Sequence, residues 1–137
     1  AFTTKPARKD SVAYGGYLAT MAACMDCHSP VSKGKVIADK AFSGGREFKL
    51  PGGILRSANL TPDRETGLGT WTAEMFVEKF KVYSDAATLP SVKVGEYNTI
   101  MPWSMYAGMD TADLRSIFLY LKSLAPTKNH VDKFSPK

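Results

Sequence analysis

Cys24-Met25-Asp26-Cys27-His28 constrains this chain more than any other stretch of it. C-x-x-C-H is the attachment sequence of a c-type haem, and each part has a chemical job. Two thiols add across the two vinyl groups of a porphyrin. The two-residue spacer lets both sulfurs reach one macrocycle, and the adjoining histidine gives the iron an imidazole nitrogen. The competing readings are a redox-active C-x-x-C and a zinc site. Zinc needs two further ligands, and with no third cysteine His130 is the remaining candidate. A thioredoxin-like motif belongs in an alternating strand–helix chain, which this pattern is not.

The 137 residues suit one domain large enough to bury a core around a haem, so residues 1–137 are read as a single unit. A 44% hydrophobic and 23% charged composition is ordinary for a soluble globular protein. No apolar run approaches the roughly eighteen residues of a membrane span, and an upstream anchor stays open. No secretory signal is present, although the chain opens on Ala1, a residue type often left after signal cleavage. Both cysteines lie in the motif, so compartment is argued from the haem. Covalent attachment takes place outside the bacterial plasma membrane, which predicts a periplasmic protein. A net charge of +5, partly offset by two haem propionates, leaves a modestly basic surface for redox partners with acidic docking surfaces. Lysines and arginines are scattered rather than clustered, which argues against nucleic acid.

The pattern along the chain is helical at three places. Residues 1–9 read as a polar arm. Asp10 or Ser11 caps a helix from about Val12 to Ala23 that delivers Cys24, and Gly15 and Gly16 within it suit a close helix crossing. From Ser29 to Thr70, glycines and prolines punctuate a long loop, which a haem used as core would justify. Thr72 caps a second helix whose Ala73, Phe76, Val77 and Phe80 form one apolar stripe. Tyr83 to Ile100 reads as a connection. Thr111 caps the last helix, where Leu114, Ile117, Phe118 and Leu121 repeat that spacing before Pro126 stops it. Residues 127–137 read as a mobile polar tail.

The second face of the haem decides between electron transfer and ligand chemistry. Met101 is the preferred sixth ligand. It lies in a non-helical stretch, and Pro102 fixes the backbone beside its sulfur. Met105 is the main rival, and Met109, Met75, Met21, Met25 and His130 are further candidates. Thioether sulfur favours ferrous iron, and a six-coordinate iron has no open position, so such a protein only passes single electrons.

These residues resemble the class I c-type cytochrome family. The helix ending in C-x-x-C-H, a methionine three-quarters along the chain and an amphipathic terminal helix carry the general likeness. Gly16-Tyr17-Leu18-Ala19, Phe42-Ser43-Gly44-Gly45-Arg46, Asn59-Leu60-Thr61-Pro62-Asp63, Thr66-Gly67-Leu68-Gly69-Thr70-Trp71 and Met101-Pro102-Trp103 are similar to modules in cytochrome subunits of membrane-bound alcohol and sugar-acid dehydrogenases. Those subunits usually carry several haem motifs, whereas this chain has one.

The resemblance implies an all-α fold of three to five helices with long loops around one covalent haem, and Gly16 facing the last helix near Phe118 or Tyr120. It also implies iron held by His28 and Met101. Arg46 and Trp71 are the expected propionate donors. Asn59 and Thr61 are expected to fix their own loop, and Tyr97 has no assigned role. The expected function is one-electron carriage between a dehydrogenase or reductase and a terminal acceptor, without catalysis of its own. The alternatives are a peroxidase-like or ligand-binding haem with an open sixth site, and an electron-relay subunit of a larger dehydrogenase complex.

Overall fold

A computed structural model describes residues 4–93 and 95–137; the expectation attached to Ala1 lies outside them. Helix α1 (Ser11–Met21) ends two residues before the predicted boundary, and Ala23 turns left-handed at φ 60°. That turn starts the separate short helix α2 (Cys24–Cys27), so the attachment motif sits on its own turn rather than on an extension of α1. Two hairpins follow, β1 (Val31–Ser32) with β2 (Lys35–Val36), and β3 (Glu47–Leu50) with β4 (Gly53–Arg56). The remaining elements are α3 (Ala73–Lys81), α4 (Trp103–Tyr106), α5 (Thr111–Lys122) and the C-terminal strand β5 (Phe134–Pro136).

Helices α1, α3 and α5 form the core. Along α5, Leu114, Ile117, Phe118 and Leu121 are buried at helical spacing, each contributing roughly 1.5–3 kcal/mol by leaving water. Phe76, Val77 and Phe80 of α3 pack onto them, with the Phe76 and Phe118 rings 5.4 Å apart. Thr72 caps α3 as expected, its hydroxyl accepting from the Met75 amide at 3.1 Å. The cap position of α5 is Asp110, one residue before Thr111, and it makes no side-chain capping bond.

The crossing of α1 over α5 is set by Gly15. A Cβ there would run into the Ser116 carbonyl and lie 3.0 Å from the Ile117 nitrogen. Gly16 is buried too, but the backbone contact falls one position earlier than the resemblance implied, and at Ser116–Ile117 rather than Phe118.

The helices carry the class I cytochrome c fold. The stretch read as loop departs from the all-α expectation: β3, β4 and β5 form an antiparallel sheet in that order. Period-two alternation is visible in the exposure of Glu47–Leu50, but four residues are too short to stand out among flanking glycines.

The C-terminal segment is no free tail. It is tied in at Thr127 and Asn129, crosses the Arg56 amide through Lys133, and ends as β5 with Leu55 opposite Phe134. The described part of the N-terminal arm is also held, with the Arg8 guanidinium 5.5 Å from the Tyr14 ring centre and 3.8 Å from Asp113.

Candidate haem site

The turn that carries the two cysteines is rigidly framed. The His28 amide donates to the Cys24 carbonyl at 2.9 Å, closing α2. Nδ1 of His28 lies 2.8 Å from the Ala58 carbonyl, which requires the proton on Nδ1 and leaves the lone pair on Nε2. Burial pushes the imidazole below its ordinary pKa, and the Ala58 carbonyl only partly opposes this, so the ring stays neutral. Neighbouring backbone is fixed as well: the Gly44 amide donates to the His28 carbonyl at 2.8 Å, and Ser29 accepts from the Phe42 amide at 2.9 Å.

Burial also pushes the Cys24 thiol up to about 11. A thiol so held is mostly protonated at neutral pH, unlike the activated thiolates of disulfide oxidoreductases or zinc sites. Among the described residues no three histidine, cysteine or carboxylate side chains gather in a metal-binding group, and His130 is engaged with Asp132 on the surface. The zinc and thiol-redox readings therefore find no support in the site.

A cavity of about 250 Å³ lies beside this turn, and Cys24, Cys27 and His28 line it together with Met101. Its remaining wall is mostly aliphatic and aromatic, with Phe76 and Phe80 of α3 and Leu114, Ile117 and Leu121 of α5 among the lining residues. Met101 is half-buried, and its amide donates to Thr99 Oγ1 at 3.1 Å. The segment after Met101 is braced from two directions. The Tyr106 hydroxyl donates to the Ala22 carbonyl at 2.7 Å, next to the attachment turn. The Lys81 ammonium donates to the carbonyls of Ala107 and Met109 at 2.8 and 2.6 Å.

Several known proteins similar to this chain are cytochrome subunits of dehydrogenases. The chain is 29% identical over 108 residues to the cytochrome c subunit of the quinone alcohol dehydrogenase of Gluconobacter oxydans, covering 77% of this chain and 20% of that protein. It is 29% identical over 137 residues to the fructose dehydrogenase cytochrome subunit of Gluconobacter japonicus, covering 98% and 25% respectively. It is 30% identical over 115 residues to the gluconate 2-dehydrogenase cytochrome c subunit of Pantoea cypripedii, covering 82% and 23%. These relatives are named as cytochrome subunits, which matches the family that the motifs of this chain resemble. The chain spans a quarter or less of the length of these relatives. No family model matches it.

Its cytochrome c relatives imply haem c, and the residues present fit that group. The cavity is apolar, both cysteines reach its wall, and a buried neutral imidazole offers an Nε2 that has no hydrogen-bond partner among the described residues. Of the candidate sixth ligands, Met101 and Met109 line the cavity. Met105, Met21, Met75 and Met25 stand on the surface, and His130 belongs to a separate polar pocket on the C-terminal segment.

The two expected propionate donors part company in this chain. Trp71 lines the cavity and its indole N–H has no partner among the described residues. Arg46 does not line it; its guanidinium donates to the Asp26 carbonyl at 2.7 Å, inside the attachment motif. The sequence reading missed Arg56 and Lys133, two cavity-lining cations, and the bracing pair Tyr106 and Lys81. Only Tyr106 left a trace, three residues after Trp103 and hence on the same helical face.

Proposed function

We propose that this module would hold one haem c, attached through Cys24 and Cys27 with its iron held by His28 and Met101, and that it carries single electrons. The observation that carries the reading is the convergence of Cys24, Cys27, His28 and Met101 on one apolar cavity. The bound group would supply the one-electron couple itself. What the chain contributes is orientation and exclusion of water. Ala58 holds His28 in the tautomer that presents Nε2, Thr99 and Pro102 fix the backbone on either side of Met101, and the apolar α3 and α5 side chains keep the cavity dry. A soft, neutral sulfur donor together with an imidazole would favour the ferrous state of the bound iron.

The cytochrome works in the periplasm, since covalent haem attachment takes place outside the plasma membrane; among the described residues no helix is long and apolar enough to cross one. Its electron donor is a dehydrogenase or reductase, and its acceptor is a terminal redox protein with an acidic docking face. The names of the relatives favour the more specific form of this reading, an electron relay within a dehydrogenase assembly. A ligand-binding or peroxidase-like haem is disfavoured because the cavity lining holds no histidine besides His28.

The test is the optical spectrum of the purified protein beside that of Met101→Ala. The wild type should show the weak near-infrared band of sulfur-ligated ferric haem and refuse carbon monoxide when reduced, while the variant loses the band and binds the gas. A wild type that binds carbon monoxide readily would overturn the electron-carrier reading.

A further inference from the structure

The C-terminal segment does more than complete a sheet. Lys133 lines the same cavity as His28 and Met101, and its Nζ has no hydrogen bond or ion pair among the described residues. Its backbone is not free to wander. The Arg56 amide donates to the Lys133 carbonyl at 2.8 Å, and the Arg56 guanidinium reaches the Asp132 carbonyl at 3.1 Å and Ser135 Oγ at 2.7 Å. Arg56 therefore clamps the strand on both sides of Lys133. Its own charge is already matched by Glu47 at 2.9 Å, so the uncompensated cation at this rim is Lys133. Beside it, the Phe134 ring meets Tyr97, another cavity-lining residue, edge to face at 6.1 Å.

We infer that residues 127–137 are a strap belonging to the cofactor site, and that it delivers the Lys133 ammonium to pair with a carboxylate of the bound tetrapyrrole. This rests on the haem reading above. A tetrapyrrole carboxylate brought to an apolar cleft needs a charged or hydrogen-bonding partner at the rim. Arg46 is occupied by the Asp26 carbonyl, and Lys79 leans over the Trp103 ring at 5.7 Å. Lys133 is the compact, mobile-headed cation left to meet the need.

The experiment compares midpoint potentials of the haem-loaded protein for wild type, Lys133→Gln, Lys133→Arg and Lys128→Gln. Lys128 lies on the same segment, pairs with Glu65 at 2.8 Å and does not line the cavity, so it reports the generic effect of losing one surface charge. Removing a cation in contact with a haem carboxylate disfavours the reduced form. Lys133→Gln should therefore lower the potential more than Lys128→Gln, and the shift should persist in ~1 M salt, where screening acts over about 3 Å. Lys133→Arg should restore most of it. A Lys133→Gln shift no larger than that of Lys128→Gln, or one erased by salt, would overturn the inference and make Lys133 a surface charge for partner docking. A preparation without the absorption bands of covalent haem would instead overturn the haem reading, before any potential is measured.

Discussion

Truncating Asn59 to alanine separates the strap from the helical core. Asn59 is 4% exposed, and both ends of its amide are used. Oδ1 accepts from the Thr61 amide at 2.9 Å and the Thr61 hydroxyl at 2.7 Å. Nδ2 donates to the Thr127 carbonyl at 2.9 Å and to Thr66 Oγ1 at 3.1 Å, with the Asn129 carbonyl at 3.3 Å. After truncation the Thr61 hydroxyl can swing to the Thr127 carbonyl, already 3.2 Å away, and Thr66 keeps Asp63. The Thr61 amide has no such recourse in a residue 1% exposed. One orphaned buried donor costs about 1–3 kcal/mol, and the lost strap bonds add about 1 kcal/mol more. A total near 3 kcal/mol corresponds to a melting temperature roughly 10 °C lower for a chain of this size. Circular dichroism melts of the oxidised protein should show that drop, and amide exchange should rise across residues 127–137 while α1 and α5 stay protected. Asn59→Asp should keep the Thr61 amide satisfied yet still loosen the strap, because an oxygen would then face the Thr127 carbonyl. A melting temperature within about 2 °C of wild type, or unchanged exchange in the strap, would refute this account.

Two further perturbations probe the core and the loop before α3. Gly15→Ala should destabilise by roughly 1–3 kcal/mol, because the overlap with Ser116 backbone outweighs the ~1 kcal/mol gain in helix propensity; urea titrations beside Gly108→Ala, where the added carbon comes no closer than 3.4 Å to anything outside its own neighbours, check it. Asp63 is held below its ordinary pKa by the Thr66 hydroxyl and amide, so its contribution is present above the unfolded value of 3.8 and is lost as pH falls through the lower folded value. The stability gap between wild type and Asp63→Asn should accordingly narrow on acidification from neutral pH, and a gap independent of pH would count against that bond.

The sequence made the site legible where chemistry demands adjacent residues. Cys24, Cys27 and His28 are fixed by covalent reach, Met101 by the proline beside it, and the buried faces of α3 and α5 by period. The cap at Thr72 falls out of the same local logic. What stayed hidden depends on long-range placement. Arg46 and Arg56 look alike in sequence, and only the path of the chain sends one to the Asp26 carbonyl and the other to the strap. Asn59 and Thr61 do fix their own loop, as expected of side chains that bond nearby backbone, but their second partners are Thr127 and Asn129, far along the chain. A polar segment after a terminal proline reads as a tail because many of the bonds that tie it in run through its backbone, as at Thr127, Asn129, Asp132 and Lys133, and leave no side-chain pattern.

In the electron-carrier reading, a low reorganisation cost requires both axial donors to stay in place through the redox cycle. His28 and Met101 lie on separate segments, so each needs its own anchor and the two need a common frame. The His28 side is anchored by the Ala58 carbonyl, four residues before Pro62 in the loop that also grips the strap. The Met101 side is anchored by Tyr106 on the Ala22 carbonyl and by Lys81 on the carbonyls that follow α4. Ala22 precedes the left-handed turn at Ala23 that opens α2. The Tyr106 bond therefore joins the methionine segment directly to the cysteine turn, bypassing the α1–α5 crossing. The phenol is half-buried, and burial raises its pKa, so it remains a donor throughout the physiological range. That bond sets the separation of the two donor segments more directly than the helical core does, and the core's task is to keep the cavity between them dry.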